Sequence, residues 1–235
     1  MRLPTPAEIS TAKADALRRF GRDELLLVEL GAPIDAAVLV APLDLPAYSR
    51  HVDEQQRDIG AAAQALVVGQ RAWPAHEDLL ALFARRPSAA GKIVAKLHDR
   101  AGKNCPDPDV EPLADLVARA GDGDVLPGLS SAAAQALLDA DEARELWGVS
   151  SPLLSLVMAS PSAELFLAAQ SAEVGAIKSG KGSVGALLDF ARQAIVWSRR
   201  PVEELLRDRP AVSADIKTAF RAMGGESAGS SSKSV

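Results

Sequence analysis

Proline presets φ and has no N–H to give, so it suits the first turn of a helix and stops one further in. In this chain it does both, repeatedly. Thr5-Pro6-Ala7-Glu8 reads as an N-cap, a first-turn proline and a capping-box glutamate. Leu45-Pro46, Ser151-Pro152 and Ser160-Pro161 read as further starts. Pro74, Pro87, Pro201 and Pro210 break or restart segments whose apolar residues recur at helical spacing.

Such punctuation needs helix formers between the breaks, and the composition supplies them. Ala, Leu, Arg, Asp and Glu dominate, and aromatics are only 4% of 235 residues. Straight-chain residues lose little freedom in a helix, whereas sheets favour β-branched and aromatic ones. The sequence therefore predicts a mainly α protein, built of helical modules with one small N-terminal β-hairpin. That hairpin is expected over residues 25–30 and 34–41, two apolar runs parted by Gly31-Ala32-Pro33. A lone hairpin is marginal in water, so it must pack on the helices or pair with another chain.

From Asp44 onward helices are expected throughout. They fall at residues 59–73, 77–85, 88–100, 113–120, from Ser130 or Ser131 to Trp147, at 153–158, 163–174 and 183–197, then 202–207 and 211–223. The three prolines of 103–112 mark a linker, and Gly175 to Gly182 a flexible connector. The chain is thus divided into 1–102, a hairpin plus helical module; 103–182, a proline-rich linker and middle helices; 183–225, a C-terminal helical module; and 226–235, a Ser/Gly-rich flexible tail. The C-terminal module echoes residues 64–102. Trp73, Leu79-Leu80, Arg86-Pro87, Ile93, Leu97 and Gly102 are answered by Trp197, Leu205-Leu206, Arg209-Pro210, Ile216, Phe220 and Gly225. Each copy would be a three-helix unit with a tryptophan at its first break.

Chemistry is sparse. Gly175-Ala176-Ile177-Lys178-Ser179-Gly180-Lys181-Gly182-Ser183 approaches a phosphate-cradling loop. However, Gly182 stands where a magnesium-binding hydroxyl is required, and the preceding segment is helical. His51, His76 and His98 have no metal-ligand spacing, and Cys105 is the sole cysteine, between Asn104 and Pro106. No nucleophile elbow is present. The expectation is no enzyme, no cofactor and no metal. The net charge of −5 disfavours phosphate backbones, and the pairs Arg18-Arg19, Arg85-Arg86 and Arg199-Arg200 read as helix-end cations. No apolar run is long enough to cross a bilayer.

The order of hairpin, Tyr48-Ser49-Arg50, Ala65-Leu66-Val67-Val68, Trp73-Pro74, Glu77-Asp78-Leu79-Leu80, Arg86-Pro87 and Ala101-Gly102 resembles the tail assembly chaperones of tailed bacteriophages. The likeness covers about residues 25–102. It implies a helical bacteriophage protein with a short β element, a chaperone of virion and tail assembly, in the cytoplasm of a bacterial host or within the particle. Its partners would be other proteins, tail or particle components, and a homo-oligomer is allowed. A structural component of the virion and a cellular helical adaptor are the alternatives. Trp73, Phe83, Trp147 and Trp197 are the candidate partner-binding residues, since aromatics concentrate interface energy. The competing role for all four is as core anchors.

Overall fold

The computed structural model describes residues 2–179 and 183–225. The Ser/Gly tail of 226–235 and the middle of the Lys181 segment lie outside the described residues. The chain divides into two compact units, Met1–Lys103 and Asn104–Val235.

The first unit opens with α1 (Pro6–Phe20). Its N-cap Thr5 and Glu8 satisfy each other's backbone N–H groups, and Gly21 closes it at φ 68°. Strands β1 (Leu26–Leu30) and β2 (Ala36–Val40) pair antiparallel, with Leu26 opposite Val40 and Leu30 opposite Ala36. Helices α2 (Leu45–Gln55) and α3 (Ile59–Gln70) follow, capped by the Asp44 and Asp58 carboxylates. Strand β3 (Arg71–Trp73) then joins the far side of β2, giving the order β1-β2-β3. Helices α4 (His76–Arg85) and α5 (Ser88–Ala101) end the unit. Residues Ala37 to Val40 of β2 are all buried, so the sheet is covered on both faces at its centre. Val28 and Leu30 of β1 point into the core, and Leu27 and Glu29 point the other way, exposed.

The second unit begins with β4 (Asp109–Pro112), α6 (Leu113–Ala120) and a small hairpin of β5 (Asp124–Leu126) and β6 (Leu129–Ser130). Then come α7 (Ser131–Ala140), β7 (Leu146–Ser150), β8 (Ser155–Ala159), α8 (Ala163–Ser179), α9 (Ser183–Ala194), β9 (Ile195–Ser198), α10 (Val202–Asp208) and α11 (Val212–Met223). Its larger sheet has the order β4-β7-β8-β9, antiparallel throughout. From α7 onward the order of elements matches that of the first unit from α1 onward: α-β-β-α-α-β-α-α in both. The buried residues match as well. Leu79, Leu82 and Phe83 of α4 answer to Val202, Leu205 and Leu206 of α10. This corrects the expected match of Leu205-Leu206 to Leu79-Leu80, since Leu80 is exposed. Ile93 and Leu97 of α5 answer to Ile216 and Phe220 of α11. What the second unit adds lies ahead of α7.

Three sheets with nine strands among the described residues correct the expected fold class, a helical protein with a single N-terminal hairpin. The helix expected to run to Trp147 ends at Ala140, and residues 146–150 and 155–159 are strands. All five residues of β8 are buried, so no alternation marks it as a strand, and a short apolar run has no period to separate helix from sheet. Gly148, which reads as a helix stop, lies mid-strand. A Cβ there would sit 2.4 Å from Leu116 Cδ1, so the missing side chain lets α6 pack directly on the sheet. Strands β3 and β9 continue straight on from α3 and α9. They exist because β2 and β8, distant in sequence, offer edges to pair with. The repeated motif is therefore helix–strand–helix–helix, with its tryptophan on the strand. Asp109–Pro112, within the expected linker, is strand β4, and residues 175–179 continue α8. Arg199 and Arg200 follow a strand, not a helix.

Candidate protein-interaction site

The structure separates the four aromatic candidates. Phe83 is buried, 3% exposed, in the first unit's core. Trp73, Trp147 and Trp197 are half-buried. The Trp73 indole N–H donates to Glu8 Oε1 at 3.1 Å, and the Arg2 guanidinium lies 5.8 Å from its ring centroid. The Glu8 carboxylate, held first by the Thr5 backbone N–H and then by the Thr5 hydroxyl, Trp73 and Arg2, titrates at about 2. The β3 tryptophan thus pins α1 to the sheet. In the second unit, Trp147 donates to Ser160 Oγ at 2.9 Å and stands opposite Met158, whereas Trp197 stands opposite Val157. Adjacent residues of β8 face opposite ways, so the two tryptophans occupy opposite faces of the sheet. Trp197 packs against the cluster of Leu113, Leu126, Leu146 and Val157. Each tryptophan has a structural task where it stands.

A different feature emerges from setting the units side by side. In the second unit β7 is interior, with β4 paired along one side: Asp109 opposite Ser150, Val110 opposite Val149, Glu111 opposite Gly148 and Pro112 opposite Trp147. Helix α6 follows at once and lays Leu116 on Gly148. In the first unit β1 holds the equivalent place and is an edge strand. No described residue pairs with its outer side, and Leu27 is 46% exposed beside the exposed Glu29. An edge strand presents unpaired N–H and C=O groups, and proteins normally blunt it with lysine, proline or a bulge. Leu26-Leu27-Val28-Glu29-Leu30 has no lysine and no proline, and it meets β2 in unbroken register. The sequence marked the hairpin as needing either helices to pack on or another chain to pair with, and β3 of the same chain joins it at β2. Nothing in the sequence signals that the second unit fills the same position from within the chain.

The second notable group is a buried histidine pair, His51 of α2 and His98 of α5, with ring centroids 5.1 Å apart. Tyr48 meets His98 edge-on. His51 is 1% exposed and neither of its ring nitrogens makes a hydrogen bond; Nε2 of His98 also lacks one. Burial drives both below the usual histidine range, to about 4 for His51 and about 3 for His98, and the Lys103 ammonium pushes the same way. The Ala62 carbonyl, near the His51 ring but outside hydrogen-bond geometry, weakly opposes this. Both rings are neutral near pH 7. His51 also lines a recess of about 100 Å³ with Arg50, Glu54 and Gln70, whose Oε1 is unpartnered. These histidines are far apart in the sequence, and no spacing rule could have joined them.

No described group of three or more His, Cys, Asp or Glu side chains is arranged to hold a metal ion. His76 starts α4, and Cys105 is half-buried and in no disulfide. Gly180, Lys181 and Gly182 lie outside the described residues. No described helix is long and apolar enough to cross a membrane.

No family model matches the chain, and no curated protein or solved structure matches it either. The phage resemblance is therefore withdrawn, together with the tail-assembly, chaperone and virion roles and the placement in a host cytoplasm or particle that followed from it. The motifs behind it were helix-break punctuation. Trp73, one of the residues behind it, lies on the three-residue strand β3 between α3 and α4 rather than at a bare helix break.

Proposed function

We propose that this chain is a non-enzymatic protein-binding protein made of two copies of one α/β unit, with the β1 edge of the first copy as its binding surface. The observation that carries this reading is the contrast at equivalent strands. β7 is covered by β4 and α6, and β1 is left with an open edge and an exposed leucine. Adding a strand to such an edge satisfies main-chain groups over its whole length, and alternate side chains supply specificity. The net charge of −5 and the carboxylates of Asp23, Glu24 and Glu29 near the edge favour a protein partner over nucleic acid.

Site-specific photo-crosslinking tests this. A photoreactive residue is placed at Leu27 and, as a control, at Leu80, which is similarly exposed (44%) on α4. The reading expects defined protein adducts from position 27 and only background from position 80. Equal labelling from both positions, or no adduct from position 27, would overturn it.

A further inference from the structure

We infer that the β1 edge pairs with β1 of a second copy of this chain, joining two three-stranded sheets into one six-stranded sheet across a twofold axis. This rests on the protein-binding reading above and names the partner. In an antiparallel pairing centred on Val28, all five strand residues find partners. Leu26 of one copy lies opposite Leu30 of the other, Val28 opposite Val28, and Leu27 opposite Glu29.

Charge selects this register. Centring on Glu29 would set the two Glu29 carboxylates against each other, which like-charge cross-strand pairs disfavour. Centring on Val28 separates them. It also carries Glu24 and Asp23 past the end of the opposing strand, toward the level of Ala32 and Pro33 in the turn that ends at Asp35. The outer face then presents each exposed Leu27 beside the stem of a Glu29, so apolar surface on both copies is covered. A symmetric contact of this kind uses the same patch twice, the usual arrangement in homodimers. The second unit cannot do the same, because β4 occupies its corresponding edge. Five paired residues bury much less than the roughly 1,200 Å² of a stable interface, so the dimer is weak and concentration-dependent.

Sedimentation equilibrium of the full chain from 10 μM to 1 mM, at low ionic strength, tests this with two variants. L27E sets a carboxylate opposite Glu29 at both symmetric positions, and L27K sets an ammonium there. Both lose the same apolar side chain at an exposed position, so both fold, with unchanged thermal unfolding in dilute solution. The expected result is a rise from the 24.6 kDa chain mass toward twice that value, with L27E dimerising about tenfold more weakly than L27K. A chain monomeric at 1 mM overturns the inference. So do L27E and L27K variants that dimerise equally, since the contact would then lie elsewhere. Crosslinking separates this failure from that of the wider reading. A monomer whose position 27 still captures another protein overturns self-pairing alone, and one whose position 27 captures nothing overturns both.

Discussion

The two units solve one packing problem in opposite ways at the same place. Where the second helix of the motif meets the last, the first unit buries Tyr48, His51 and His98, a neutral aromatic cluster with unpartnered ring nitrogens. At the matching junction the second unit stacks Phe166 on Phe220, with ring centroids 5.8 Å apart, and buries Glu173 between Lys217 and Arg221. Counting from the helix caps Asp44 and Ser162, Phe166 answers to Tyr48 and Ala169 to His51. Counting from the Arg-Pro pairs, Arg221 answers to His98. The fold needs a bulky contact there. It does not need histidine, and it tolerates a full ion cluster. The lesson is that the backbone frame is common to both units, while the electrostatics of the junction and the cover of the sheet edge belong to each alone.

The largest expected effect breaks the ion cluster. Glu173 is 6% exposed, and Glu173→Ala removes its charge-assisted bonds to Lys217 and Arg221, which are themselves partly exposed, at a cost of about 3 kcal/mol of the second unit's stability. The matching change in the first unit, Gln55→Ala, removes a half-buried and uncharged side chain. Calorimetry of both variants should show a large loss for the first and little for the second.

Acid acts on the first unit. His51 and His98 titrate below the unfolded value of 6.5, so the unfolded chain binds more protons than the folded one between 6.5 and about 4 for His51, and between 6.5 and about 3 for His98. Their contribution is complete above pH 6.5 and declines as the pH falls through that window, by about 1.4 kcal/mol per pH unit for each histidine. Denaturant titrations at pH 7 and pH 5 should show the first unit losing stability. His51→Phe should remove part of that slope, since phenylalanine cannot take up a proton.

Crowding the cover of the second sheet comes next. Gly148→Ala drives a methyl group into Leu116 and should cost about 2 kcal/mol, seen as a lower denaturation midpoint. The smallest effect is at α1, where Thr5→Ala removes the cap and should cost about 1 kcal/mol. Because Trp73 depends on Glu8, and Glu8 on Thr5, that variant should also change tryptophan fluorescence.

Much of this frame was legible in the sequence. The Thr5-Pro6-Ala7-Glu8 start of α1, the hairpin of β1 and β2, and the Arg-Pro starts of the last helices all follow from local chemistry that a few neighbouring residues decide. The second sheet was not legible. Leu146 to Ser150 and Ser155 to Ala159 are strands because they are buried on both faces against partners far along the chain, and burial on both faces erases the alternation that announces a strand. The candidate site was half legible. That the hairpin must pack on helices or pair further could be read from the sequence, but the addition of β3 to β2, the His51–His98 contact, and the fact that β4 and α6 fill the equivalent edge, depend on packing alone. The aromatic candidates drew attention for their size, and Trp73, Trp147 and Trp197 each turned out to be holding a helix, a serine or a core cluster.

Amide hydrogen exchange reads the contrast between an open β1 and a covered β7 directly. In dilute solution the outward-facing amides of residues 26–30 should exchange at loop-like rates, while those of residues 146–150 are protected on both sides by β4 and β8. At millimolar protein the β1 amides should slow as the edge is taken up. Equal protection of the two strands in dilute solution would contradict the account, because β1 would then not be an open edge.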